Sequence, residues 1–223
     1  KDILFQAGED GFAYAQIGNG GGAAEGAHAG DIHVTTEDGD IIFKSGSASS
    51  TYAHIGHGGT DAAAYAQGHT GDVTVSAGKN ISFTAGTNFH SYAKVGNGGS
   101  NAKGSHTGVI TVTATTGRID FTARNGSYSY TQIGNGGYNT DGDHEDNISV
   151  WAKEDIYFKA GSVAQTYAQI GNGGTLVSGN HTGAIQVTSE DGDVIFEAGG
   201  GTGAHAQIGN GGTDNVATVV QGD

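Results

Sequence analysis

Tyr167-Ala168-Gln169-Ile170-Gly171-Asn172-Gly173-Gly174 is one of six near-copies of a single phrase in this chain. The glycine that follows the aliphatic residue falls at Gly18, Gly56, Gly96, Gly134, Gly171 and Gly209, so successive copies stand 38, 40, 38, 37 and 38 residues apart. A period that steady marks an array of stacked units. A segment of this length buries too little surface alone to offset its ordering entropy, so each unit leans on the next.

Working outward from the phrase, each unit carries two further patterns. Ile3 and Phe5, Ile41 and Phe43, Ile81 and Phe83, Ile119 and Phe121, Ile156 and Phe158, and Val194 and Phe196 alternate with polar residues. From the first residue of each pair to the aliphatic residue of the phrase the spacing is always 14 residues. Eight or nine residues before each pair stands another alternating pair: Ile32 and Val34, Val73 and Val75, Ile110 and Val112, Ile148 and Val150, Ile185 and Val187. Period-two alternation of branched and aromatic residues between Gly, Asp and Asn is the signature of strands with one buried face. We refer to these as the A strand (Ile-x-Val), the B strand (Ile-x-Phe) and the C strand (the phrase). Insertions fall in the A to B turn and after the C strand, the longest around Ala62 to Gln67, so the strands are expected to stack in register with turns projecting outward.

These patterns predict an all-β chain, a right-handed parallel β-helix (β-solenoid) of about six 38-residue repeats, over approximately 1–30, 31–71, 72–108, 109–147, 148–183 and 184–223. A unit is either one large coil or two coils of about 19 residues; small residues such as Ala24, Ala62 and Ala102, that far beyond the phenylalanines, favour two. The expected structural ladders are a phenylalanine file (Phe5, Phe43, Phe83, Phe121, Phe158, Phe196) and an asparagine file (Asn19, Asn97, Asn135, Asn172, Asn210) with His57 as its exception. Strict alternation sends Ala15 and Ile17 inward with Asn19, and Tyr14 and Gln16 outward. Tyr14, Tyr52, Tyr92, Tyr130 and Tyr167 are thereby expected to form an exposed column, the candidate surface for stacking on sugar rings or on a neighbouring stalk.

Composition narrows the class. Of 223 residues 35% are hydrophobic, 14% charged and 43 are glycine, while proline, cysteine and methionine are absent. Proline removes a ladder donor, so its absence suits a body of stacked strands. The absence of cysteine removes disulfides and thiolate metal sites and leaves the compartment open. A formal net charge of −14, with only nine Lys and Arg, argues against nucleic acid and anionic lipid as partners. No apolar run approaches the roughly 18 residues of a spanning helix, so no direct membrane insertion is expected. The chain opens inside a repeat at Lys1–Phe5, and Val216 to Val220 reads as another A strand, so a segment of a longer chain is expected.

Gly71-Asp72-Val73-Thr74-Val75 and Gly192-Asp193-Val194-Ile195-Phe196-Glu197-Ala198-Gly199, together with the repeated phrase, give the whole chain a resemblance to the filamentous haemagglutinin-like adhesins of two-partner secretion, and to autotransporter passengers more broadly. The resemblance implies a secreted bacterial cell-surface stalk that folds outside the cell. It implies neither cofactor nor catalytic residues.

Residues with other chemistry each have a plainer reading. His28, His69, His106, His144 and His181 form a file with one imidazole per unit, whereas a zinc site needs three or four converging ligands. Acidic turns such as Glu37-Asp38-Gly39-Asp40 echo calcium loops, but the file Asp2, Asp40, Asn80, Arg118, Asp155, Asp193 contains an arginine. Asp141, Asp143, Glu145 and Asp146 are a local acid excess without a recognisable partner, read as a variable loop. Trp151, where other units carry Thr or Ser, is a lesser contact candidate. The expected function is therefore a structural or adhesive extracellular stalk or filament segment, not an enzyme, self-associating end to end and presenting loops to a host or cell-surface glycan or protein. The alternatives are a carbohydrate-binding or carbohydrate-cleaving β-helix, and an ice-binding solenoid using Thr35, Ser76, Thr113 and Thr188, a file broken by Trp151.

Overall fold

A computed structural model describes residues 1–61, 68–215 and 220–221. Among these there is no helix, and every strand pairing is parallel. The B strands, Ile3–Gln6, Ile41–Lys44, Ile81–Thr84, Ile119–Thr122, Ile156–Lys159 and Val194–Glu197, form one six-stranded sheet in chain order. The C strands, Tyr14–Ile17, Tyr52–Ile55, Tyr92–Val95, Tyr130–Ile133, Tyr167–Ile170 and His205–Ile208, form a second. Five A strands, from Ile32–Thr36 to Ile185–Ser189, make the third wall. The chain is thus a parallel β-solenoid.

Register fixes the coil length. Ile3 pairs with Ile41, Tyr92 with Tyr130 and Ile119 with Ile156, each one whole repeat apart. One repeat is therefore one coil, which corrects the preference for two coils of about 19 residues. Ala24 and Ala102, small residues that suggested two coils, lie in the segment after the C strand and alternate with no phenylalanine. That segment is built: Gly98–Ser100, Gly136–Tyr138 and Gly173–Thr175 form a short sheet, and His28–Ala29, His69–Thr70 and His106–Thr107 another. The insertion expected around Ala62 to Gln67, and Val216 to Val219 of the expected last A strand, lie outside the described residues. Val220–Gln221 pairs with His181–Thr182, on the histidine file rather than the A-strand file.

Each coil encloses two compartments that share the C strand as a wall. The larger is apolar: alternate residues of A, B and C strands, such as Val75, Phe83 and Val95, are fully buried there. Phenylalanine rings from Phe5 to Phe196 stack along it with centroids 4.6 to 5.1 Å apart, the inter-strand spacing of a parallel sheet. Burying each ring is worth about 1.5–3 kcal/mol. The expected phenylalanine ladder is thus present. On the opposite face of the C strand lies the second compartment, closed by the glycine-rich and histidine-bearing segments.

Candidate functional site

The second compartment is where this solenoid departs from a simple apolar tube. Tyr52, Tyr92, Tyr130 and Tyr167 are fully buried in it, with rings stacked 4.7 to 4.9 Å apart and within 6° of parallel. Only Tyr14, on the first coil, is exposed, at 48%. The expectation of an exposed tyrosine column is therefore corrected. Alternation does send Tyr and Ile to opposite faces of the C strand, but both faces are covered. The glycine pair of the phrase makes the cover possible: a Cβ on Gly59, Gly99, Gly137 or Gly174 would meet a tyrosine hydroxyl at 2.8 to 2.9 Å. Desolvation, followed by the neighbouring phenols, pushes Tyr92 and Tyr130 well above the ordinary tyrosine pKa.

Beside the tyrosines runs a file of donors. Gln132 Nε2 donates to the carbonyls of Gly171 and Gly173, both at 3.0 Å, and Gln16 and Gln169 repeat the pattern one coil ahead of themselves. His54 Nε2 lies 2.7 Å from the Gly96 carbonyl at the equivalent position. Lys94 occupies the same file, fully buried, its Nζ donating to the carbonyls of Asn97 and Gly134. Desolvation holds this amine well below the usual lysine range.

The third file is histidine. Rings from His28 to His181 stack at 5.0 to 5.1 Å, and His69, His106, His144 and His181 are fully buried. His28 Nδ1 and His69 Nδ1 approach to 3.2 Å, and Thr140 Oγ1 meets His144 Nε2 at 3.0 Å. Burial, then repulsion from neighbouring imidazoles, lowers His69 to about 4 and His144 to about 3. No group of three or more His, Asp or Glu side chains among the described residues converges in a way that holds a metal.

The asparagine file closes the coil through side-chain to backbone bonds. Oδ1 of Asn97, Asn135, Asn172 and Asn210 accepts the backbone N–H of the matching residue in the preceding coil at 2.9 to 3.0 Å. Nδ2 of Asn97, Asn135 and Asn172 donates to two carbonyls of the histidine-bearing segment, as Asn97 does to Gly71 and Thr107. Asn19 reaches the same segment at the carbonyl of Ala29. The asparagines thus tie each coil to the next and pin the second compartment shut.

Acidic side chains serve the turns. Asp2, Asp40 and Asp155 accept backbone N–H groups from the next coil, as Asp143 does from Asn180, while Asp141 and Asp146 accept those of Gly104 and Gly108 on the preceding coil. Trp151 lies on the outer face of an A strand between Thr113 and Thr188, interrupting the hydroxyl file as expected.

One surface cluster was missed in the sequence. Phe89, His90, Tyr128 and Tyr138 come together on two adjacent coils, and Phe89 remains 43% exposed. The available signal was the break in repetition, since the matched positions elsewhere are mostly Ser, Thr, Gly, Ala or Gln. Comparisons with protein-family models, with curated proteins and with solved structures found no match.

Proposed function

We propose that this chain is a rigid structural segment of an extracellular bacterial stalk or filament, in which repeat number sets reach and surface breaks in the repeat set contact. The observation that carries the proposal is the unbroken register: six B strands and six C strands pair residue for residue from one end to the other. Such ladders resist bending because every coil is bonded across three walls and again through the asparagine file. The buried tyrosine, donor and histidine files support the same reading, since they spend polar and aromatic side chains on stacking rather than on an exposed reactive site.

The resemblance of the Gly-Asp-Ile-x-Val and Gly-Asp-Ile-x-Phe phrases to haemagglutinin-like passengers supports the extracellular part of the proposal. Immunogold labelling of intact producing cells with antibody to the folded chain tests it. Gold on the outer surface, on extended projections, is the expected result. Label confined to the cell interior after sectioning overturns it.

A further inference from the structure

We propose that the aromatic cluster on the third and fourth coils binds an uncharged oligosaccharide, a specific contact beyond the scaffold role. In a repeating array, departures from the repeat carry the information that the scaffold does not need. The position of Phe89 is Gly11, Ser49, Ser127, Ala164 and Thr202 in the other coils, and that of Tyr138 is Gly22, Thr60, Ser100, Thr175 and Thr213. His90 and Tyr128 are successive members of one edge file, which also contains Phe12, Ser50 and Gln165.

The four rings form one body. Phe89 stacks on His90 at 3.7 Å and meets Tyr128 edge-on at 5.4 Å, while Tyr138 lies beneath, 4.6 Å from His90 and 4.9 Å from Tyr128. Although His90 stacks on Phe89 and Tyr128 meets it edge-on, Phe89 remains 43% exposed to solvent. His90 and Tyr128 are held with φ of +58° and +59°, a left-handed backbone costly for side chains of this size. The edge geometry is common to every coil, so the fold supplies it and the sequence places rings on it.

A polar file runs beside the rings. Asn101 Nδ2 donates to Asp61 Oδ1 at 2.6 Å, and Asn139 Nδ2 donates to Asn101 Oδ1 at 2.8 Å. Asn139 follows Tyr138 in the chain, and the Asn101 backbone N–H donates to the Tyr138 carbonyl at 2.8 Å. On the next coil Leu176 takes this place and offers no donor, so the file ends at the exposed amide of Asn139. Burial holds the His90 imidazole below its ordinary value, with the Asp61 carboxylate pulling the other way.

An exposed aromatic cluster beside fixed amide and carboxylate groups fits a pyranose, whose C–H face packs on an aromatic while its rim hydroxyls pair with oxygen and N–H. The rungs of the file are one coil apart, so a linear glycan lying along the solenoid axis meets the same kind of group more than once. The chain's −14 charge and the Asp61 carboxylate repel polyanions, which selects an uncharged glycan.

The test is calorimetric titration of the full chain with cellohexaose, chitohexaose and laminarihexaose, with polygalacturonate as the anionic control. At least one neutral hexasaccharide is expected to bind and polygalacturonate is not. Phe89→Ser and Tyr128→Ser take the residue types that Ser49 and Ser50 hold in the second coil. They should keep the far-ultraviolet circular dichroism and weaken binding by about tenfold or more. Phe12→Ala, outside the cluster, should change nothing. The proposal is overturned by binding of none of the three, by stronger binding of the polyanion, or by binding that survives both serine variants. It is equally overturned if Phe89→Ser alters sedimentation rather than sugar binding, which assigns the cluster to contact between copies.

Discussion

The imidazole of His57 does the work of an asparagine amide toward Asn19. Its Nδ1 accepts the Asn19 backbone N–H at 2.9 Å, and its Nε2 lies 2.7 Å from the Gly30 carbonyl, so the bonding assigns the tautomer with the proton on Nε2. Asparagine makes the same pair of bonds in other coils. His57→Asn should therefore leave stability within about 0.5 kcal/mol of the parent, whereas His57→Ala should cost about 1–3 kcal/mol by leaving a carbonyl and an N–H unmatched. Urea midpoints of the two variants check this; equal loss in both would show that ring volume, not bonding, holds the position.

Acid should loosen the second compartment in a defined window. Burial lowers His54 to about 3, His69 to about 4 and His144 to about 3, with neighbouring His and Lys charges adding to the effect. The unfolded chain, near 6.5, binds protons that the folded chain refuses. Stability is therefore full above pH 6.5 and falls as pH drops toward the folded values. At pH 5 each of these histidines costs about 2 kcal/mol. The upper limb has the opposite sign: the raised tyrosines keep their protons in the fold while the unfolded chain ionises, so stability falls again above about pH 10. Denaturation midpoints from pH 4 to 11 should trace a plateau with both shoulders; a flat acid limb would show that the histidine file is hydrated.

Lys94 is the costliest member of the donor file, because four other coils reach equivalent carbonyls with a neutral glutamine. Lys94→Gln should stabilise the chain at pH 7 by about 1–3 kcal/mol. The lysine's depressed folded pKa penalises it below the unfolded value near 10.4, so the advantage should shrink as pH rises toward 10. Lys94→Met removes the donor and should fall below the glutamine variant at every pH. Thermal melts of the three proteins at pH 7 and pH 10 decide the matter.

Much of this fold was legible because the period-two pairs and the constant 14-residue step from Ile81 to Val95 or Ile156 to Ile170 leave no freedom in B-to-C register. What alternation does not say is what lies on the other side of a strand. It placed Tyr92 opposite Val95 and could not reveal that Gly98–Ser100 and His106–Thr107 fold back over it. The same blind spot hid the coil length, since glycine-rich and two-residue strands carry no hydrophobic period. The histidine file was visible from the repeat, but not that His69, His106, His144 and His181 are buried. The aromatic cluster escaped because Tyr138 stands far along the chain from His90 and meets it only through the coil.

Gly136 shows how tightly the phrase is built. Its φ is +105°, and a Cβ there would stand 2.6 Å from the Gly173 carbonyl oxygen and 3.1 Å from the His144 ring. Gly136→Ala combines backbone strain with a clash against backbone and should cost about 3 kcal/mol or more. Gly200, with nothing within 4 Å of a built Cβ, is the control, and Gly200→Ala should stay within about 0.5 kcal/mol. Similar melting temperatures for the two variants would contradict the close stacking of the glycine-rich strands.

End faces give the last prediction. Leu4 and Tyr14 on the first coil are 60% and 48% exposed, and Val194 and Ile208 on the last coil are 42% and 45% exposed. Each belongs to a file that is buried in the middle coils or lies beside one, and the files meet in kind: Phe196 with Phe5, Ile208 with Ile17, Gly209 with Gly18. A second copy set head to tail in the same register continues the B and C ladders. Such a contact is heterologous and does not close, so it grows filaments rather than dimers. Sedimentation velocity should show average mass rising with protein concentration, and rising further with salt as screening reduces repulsion between chains of charge −14. Ile208→Lys with Val194→Lys puts charges on one face only and should hold the protein at the single-chain mass. A parent mass that stays constant over a wide concentration range, or association that persists in the double-lysine variant, would remove axial stacking as the route to a filament.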